Sequence, residues 1–222
     1  EIKKLAFSQV KSSAIRIQIS PEDPVSKNVS HFVIFIEMDD KRFFLRRFIT
    51  DNSKARIIVF VRTRVRAERV SKALERGDIK SATIHGEKDQ KDRTDVMDRF
   101  KSGEMNILIA TDVSARGIDI ADVNYVINYD LPEKSENYVH RVGRTGRGIK
   151  KGIAISFCSP EEKERLDAIQ GFLNKKIEMI PISKKEHKDT IALTNETDNI
   201  QDLIMEQEEW EKKKRTKRKK KK

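Results

Sequence analysis

Arg141, Arg144 and Arg147 recur at every third position of the run Tyr138-Val139-His140-Arg141-Val142-Gly143-Arg144-Thr145-Gly146-Arg147. On a continuing helical turn that spacing returns each guanidinium to one side, and Gly143 and Gly146 remove side chains that would hold a polyanion away. A guanidinium stays charged and presents a planar fork matched to phosphoryl oxygens, so the pattern suits phosphate binding and charge stabilisation during phosphoryl transfer. A solvated basic turn is the alternative, since charge runs are most often surface.

Two other stretches carry comparable chemistry. In His85-Gly86-Glu87-Lys88-Asp89-Gln90-Lys91-Asp92-Arg93, Gly86 permits close backbone approach, and Gln90 and Arg93 share a helical face able to hold a sugar-phosphate backbone. A capped helix start with surface polar groups explains the same residues. Thr111-Asp112-Val113-Ser114-Ala115-Arg116-Gly117-Ile118-Asp119-Ile120 gathers hydroxyl, carboxylate, guanidinium and glycine, with Asp119 able to accept from a ribose hydroxyl. There the alternative is an Asp112–Arg116 pair that braces the loop.

All three stretches follow strand-like segments. Ile57 to Val61 and Asn106 to Ala110 are continuous apolar runs, the pattern of strands covered on both faces of a parallel sheet. Further strands are expected at Phe32 to Ile36, Ser81 to Ile84, Val123 to Asn128 and Gly152 to Phe157. Helices are expected between them: one after Asp39 or Asp40 with Phe44, Leu45, Phe48 and Ile49 on a face, and one from Thr63 with Ala67, Val70 and Leu74 inward and Gly77 at its stop. Asp89 to Lys101, Ser135 to Val142 and Pro160 to Leu173 complete the set. Repeated βα units predict an α/β fold with a mainly parallel sheet between helix layers, and all three loops collected on the edge after the strands. The arginine helix should run out at Gly143, leaving Arg144 and Arg147 aimed outward.

The ends of the chain differ from this body. Residues 20–30 contain two of the five prolines among polar residues and read as a connector, with residues 1–19 as the end of something preceding it. A first residue Glu1, not methionine, suggests that an upstream part has been removed. Residues 183–197 are polar and expected to be mobile, Asp198 to Lys214 to form an amphipathic helix, and the basic end to be disordered.

Charge is concentrated at that end. The net charge is +11, but residues 212–222 supply ten of the 47 Lys and Arg, leaving 37 against 36 Asp and Glu. Nucleic-acid binding by the body therefore rests on where its arginines lie, while the tail suits nonspecific RNA attachment. One cysteine, Cys158, excludes an internal disulfide and a multi-cysteine zinc site, and fits a reducing compartment. His31, His85, His140 and His187 show no metal-ligand spacing, and no run of about 18 apolar residues points to a membrane. Phe43, Phe44 and Phe48 at helical spacing read as core, and so does Cys158.

In order and spacing, the segments IIVFVRT, IHGEKDQKDR, IATDVSARGIDI, VINYDLP and YVHRVGRTGR resemble the second RecA-like domain of DEAD-box RNA helicases. The resemblance covers about residues 28–182; residues 1–27 look like the end of the first helicase domain with the interdomain linker, and 183–222 like a C-terminal extension. It implies a RecA-like three-layer αβα sandwich. It also implies that Arg144 and Arg147 reach the γ-phosphate of ATP, that Asp119 contacts the ribose with Gly117 in the same nucleotide motif, and that His140 and Arg141 engage the first domain. Arg62, Thr63, Gly86, Gln90, Arg93 and Thr111 match positions that bind or shape the RNA backbone. After Arg147 the family usually has a small residue and then glycine, whereas Gly148 and Ile149 stand here, so the loop is expected to bend differently.

Neither a G-x-x-x-x-G-K-[ST] phosphate loop nor an Asp-Glu-Ala-Asp run occurs. The expectation is half of a cytoplasmic, monomeric ATP-dependent RNA helicase, with ATP and Mg2+ held mainly by the first domain and this chain inactive alone. A non-catalytic RNA-binding or assembly module driven by the basic tail is the alternative.

Overall fold

The computed structural model describes residues 27–115, 120, 123–146 and 148–192. Seven strands form one sheet in the order β3-β4-β2-β5-β6-β1-β7. They are β1 (Val29–Phe35), β2 (Ile57–Phe60), β3 (Ala82–Ile84), β4 (Ile107–Ala110), β5 (Tyr125–Asn128), β6 (Gly152–Cys158) and β7 (Glu178–Met179). Every pairing is parallel. Between them run α1 (Lys41–Asp51), α2 (Arg64–Glu75), α3 (Gln90–Ser102), the short α4 (Asp112–Ala115), α5 (Ser135–Val142) and α6 (Lys163–Leu173).

The apolar runs in β2 and β4 have no polar face because both sides are covered. Ile58, Phe60, Leu108, Ala110 and Val126 pack with Val96, Met97 and Phe100 of α3, Tyr138 and Val142 of α5, and Leu166 and Ile169 of α6. The alternate residues Ile57, Val59, Ile107, Ile109 and Ile127 pack with Phe44, Leu45 and Ile49 of α1 and Ala67, Val70 and Leu74 of α2. Period-two alternation thus divides one strand between two cores, which makes three layers. Each fully buried Val, Leu, Ile or Phe contributes about 1.5–3 kcal/mol, so the two cores together dominate the stability of the domain.

The expected helices and strands are present, with informative differences at their ends. The segment after Pro160 opens as a 3₁₀ turn, Pro160–Glu162, closed by a reciprocal cap between Ser159 and Glu162, before α6 begins. Gly77 follows α2, but the left-handed residue there is Asp78, at φ 56°. β7 was not expected. Its two residues extend the sheet through Val33↔Met179, and Ile180 N–H donates to Val33 O at 2.9 Å.

Residues 183–192 are more regular than their polar composition suggested. Residues 184–192 are helical and packed on α1. Arg47 Nη1 donates to Thr190 Oγ1 at 2.6 Å, His187 Nε2 lies 3.2 Å from Asp40 Oδ2, and the His187 ring packs against Phe44. Ser183 and Glu186 cap the start reciprocally, at 2.9 and 3.1 Å. Residues 1–26 and 193–222, with most of the connector, the amphipathic helix and the basic tail expected there, lie outside the described residues, while the end of that connector, Val29 and Ser30, already belongs to β1.

Candidate nucleic-acid interface

β3, β4 and β2 are neighbours, so the loops that leave their C-terminal ends form one edge. Arg62 and Thr63 follow β2, Gly86 follows β3 with Gln90 and Arg93 opening α3, and Thr111 follows β4. The Thr63 side chain accepts from Arg66 N–H at 3.2 Å as the N-cap of α2 and is itself exposed. Gly86 and Gln90 are exposed, and a Cβ on Gly86 would meet nothing within 4 Å. Gly86 therefore has no packing reason inside this domain; what it leaves open is the approach from outside.

Arg93 joins two of these loops. Its Nη2 donates to Ser114 O at 3.4 Å, and its buried Nε has no hydrogen-bond partner. Ser114 Oγ donates to Ile84 O at 2.7 Å and lies 3.1 Å from Thr111 Oγ1, which ties the end of β3 to the end of β4. Thr111 is buried, so its side chain braces the edge while its neighbours face solvent.

Arg62 stands over a buried polar network. Its Nη2 lies 2.9 Å from Glu162 Oε1, and its N–H donates to Asp130 Oδ2 at 2.9 Å. Glu162, fully enclosed, also accepts from Leu131 N–H at 3.1 Å and pairs with Lys41. Lys41 Nζ donates to Tyr129 O at 2.8 Å and Phe157 O at 3.0 Å, which draws α1 onto the ends of β5 and β6. Burial lowers the Lys41 pKa, and the Glu162 charge and hydrogen bond oppose that shift. Arg66 Nε lies 3.1 Å from the buried Asp130 Oδ1, but without hydrogen-bond geometry, so the contact is a charge pair and not a directed bond. Sequence spacing carried no sign of this network, because Lys41, Asp130 and Glu162 lie far apart in the chain and meet only in the fold.

The arginine cluster is arranged differently from the expectation that its members share a side and an edge. α5 stops at Val142, with Gly143 as its C-cap, so the helical spacing does not continue to Arg144. Arg141 turns inward and is 1% exposed. Its Nε and Nη2 donate to Asp112 Oδ1 and Oδ2 at 2.6 and 3.0 Å, and its Nη1 donates to Asn128 Oδ1 at 3.2 Å and Asp130 O at 2.7 Å. Asp112 is thus braced by Arg141, a partner that the spacing of the loop did not suggest.

The turn after α5 sits at the starts of β1, β5 and β6, away from the edge that bears Arg62. Thr145 Oγ1 donates to Val123 O at 2.5 Å just ahead of β5. Gly146 has φ 65°, and a Cβ there would lie 2.4 Å from Val29 Cγ2 at the start of β1. That close approach, with the left-handed backbone, requires glycine. His140 is exposed and Arg144 half-buried, with Arg144 Nε donating to His140 O at 3.3 Å. Gly148 is left-handed as well, at φ 62°, and Ile149 beyond it is 98% exposed. Gly117, Asp119 and Arg147, as well as Arg116, lie outside the described residues.

The family described as "Helicase conserved C-terminal domain" matches residues 40–148. The crystal structure of the E. coli DEAD-box protein SrmB, bound to the regulator of ribonuclease activity A, matches with TM-score 0.67 and 33% identity over 71% of this chain and 93% of that one. The chain belongs to the DEAD-box helicases, as their C-terminal RecA-like domain. Saccharomyces cerevisiae Dbp5 bound to RNA and ADP BeF3 is similar to this DEAD-box domain with TM-score 0.70 and 27% identity, over 88% of this chain and 52% of that one. ATP-dependent RNA helicase RhlB of Shewanella amazonensis is 35% identical over 177 residues, 80% of this chain. The DEAD-box chain spans 40% of the length of that relative.

Among the described residues of the domain no helix is long and apolar enough to cross a membrane, and no three His, Cys, Asp or Glu side chains gather as metal ligands. Among the described residues, the candidate site offers the guanidiniums of Arg62 and Arg93 at one end of the sheet and of Arg144 at the other. Such groups fit the oxygens of phosphate and do not fit the oxygen-ligand shell of magnesium.

Proposed function

We propose that this chain is the second of two RecA-like domains in an ATP-dependent RNA helicase. It grips single-stranded RNA by the sugar-phosphate backbone and lends arginines to hydrolysis of a nucleotide held mainly by the first domain. The observation that carries the reading is the adjacency of β3, β4 and β2, which places Thr63, Gly86, Gln90 and Arg93 on one solvent-facing track. Backbone recognition of this kind is tolerant of base sequence.

In this reading Arg144 and Arg147 stabilise the charge that develops on the transferred phosphoryl group, and Gly117 and Asp119 hold the nucleotide. Bound magnesium would neutralise the phosphates from ligands on the first domain. His140, exposed at the end of α5, is offered to that domain. Arg141, with its guanidinium enclosed, acts by positioning: it fixes the end of α5 from which the Arg144 turn departs. Local strand opening follows when ATP draws the two domains together on RNA and the track no longer fits a regular duplex. The chain alone, lacking the phosphate loop, neither hydrolyses ATP nor unwinds.

The test is binding of single-stranded RNA by the chain and its Arg93→Ala and Thr63→Ala variants, on several unrelated sequences. Loss of affinity by similar factors on every sequence is expected. Unchanged binding in both variants, or loss on one sequence only, contradicts the proposed track.

A further inference from the structure

A cleft of about 710 Å³ opens between α1 and α2, beginning at Thr63 and ending near Arg76. Its charged lining is Arg42, Arg66, Arg69, Lys72 and Arg76 against a single carboxylate, Asp39. Arg66 is committed to Asp130, but Arg69, Lys72 and Arg76 are exposed and have no ion pair among the described residues. On α2 these cations recur at intervals of three or four residues, and the stripe runs the helix from end to end, a rise of about 18 Å.

We infer that this cleft continues the RNA track and takes the phosphates of single-stranded RNA beyond the nucleotides at Thr63. The inference rests on the proposed reading of Thr63 as part of an RNA-backbone contact. Three observations favour RNA over an acidic protein segment. Thr63 belongs both to the edge formed by the β2, β3 and β4 loops and to the mouth of the cleft, so a strand crossing that edge meets the cleft without a break. The cations form a line along one helix, as a backbone of evenly spaced charges requires, and not a cluster around one point. The apolar side chains of the lining form no exposed stripe: Val65 is well exposed, at 51%, but Val70 and Tyr129 are buried, which leaves no row of anchors for an amphipathic helix.

The experiment compares the intact chain with the triple variant Arg69→Gln, Lys72→Gln, Arg76→Gln and with a control triple, Lys184→Gln, Lys185→Gln, Lys188→Gln. The control removes the same charge from exposed positions on the helical stretch 184–192. Affinity for a 20-nucleotide single-stranded RNA is measured across salt concentrations, and ultraviolet cross-links to the RNA are mapped to peptides. Any contribution of residues 212–222 is common to all three proteins. Loss of three phosphate contacts should lower the slope of log K against log salt by about 2 in the cleft variant, with an affinity loss of about tenfold at low salt and loss of cross-links to α2. The control triple should change the slope by less than half as much.

Equal effects of the two triples, or cross-links confined to the loops after β2, β3 and β4, overturn the inference. The latter outcome would leave the cleft to another ligand, such as an acidic protein surface. Its failure is separable from failure of the RNA reading itself, which Arg93→Ala tests without touching the cleft.

Discussion

Arg141 meets the carboxylate of Asp112 through two parallel hydrogen bonds, Nε to Oδ1 at 2.6 Å and Nη2 to Oδ2 at 3.0 Å, and so fastens the end of α5 to the loop after β4. The end of α5 leads to Arg144, for which a role in phosphoryl transfer is proposed, so the pair fixes where that turn departs. Arg141→Ala leaves Asp112, Asn128 and the Asp130 carbonyl without their shared donor; removing one member of a fully buried pair costs about 3–5 kcal/mol, and the 24% exposure of the Asp112 side chain sets the loss below that range. Arg141→Lys should recover little, because an ammonium cannot reproduce the fork. Urea unfolding checks this: a large fall in midpoint is expected for both variants, and an unchanged midpoint would show the fork to be dispensable.

Cys158 is wholly buried, and burial, helped by the nearby Glu162 charge, pushes its thiol up to about 11. The native thiol is therefore protonated and shielded at neutral pH. Alkylation by iodoacetamide should be slow in buffer and fast in denaturant, and with one cysteine in the chain its rate follows opening of the α1 and α6 ends of the fold. Rapid native-state labelling would contradict the packing of β6.

Glu68 gives a pH-dependent contribution. Burial raises its pKa, but hydrogen bonds from Thr83 and His85 and the charges of Lys88 and His85 outweigh burial and hold the carboxyl below its ordinary value. A carboxylate depressed in the folded state stabilises above its unfolded pKa, near 4.5, and loses that contribution as pH falls through the folded value. Because the Glu68 side chain is 47% exposed, the effect is small. Stability of Glu68→Gln and the parent chain, followed between pH 7 and pH 3, should converge at the acid end; a gap that stays constant would show that the ionised form has no special role.

Much of this was legible in the residues, for physical reasons. β2 and β4 announce themselves because a strand buried on both faces must be apolar throughout, and α2 because Ala67, Val70 and Leu74 keep helical spacing under a Thr63 cap. β7 was hidden because Glu178 and Met179 are both exposed, so its pairing is made by backbone with no apolar pattern to betray it. The helical stretch 184–192 was hidden by its polar composition, although Ser183 and Glu186 at capping-box spacing did signal its start. The stop at Gly143 was legible, but the inward turn of Arg141 was hidden because its partners Asp112, Asn128 and Asp130 come from other loops of the fold. Gly143 ends α5 between Arg141 and Arg144 and sends the two guanidiniums to different places.

In the proposed reading this domain completes a nucleotide site that it cannot form alone. The most direct measurement mixes the chain with the purified first domain of its full-length protein and follows ATP hydrolysis with and without single-stranded RNA. The account predicts no turnover by the chain alone, RNA-dependent turnover by the pair, and a loss of about 10³-fold or more in Arg144→Ala and Arg147→Ala, the scale of an arginine finger. RNA-stimulated hydrolysis by the chain alone, or turnover by the pair that survives both substitutions, would contradict it.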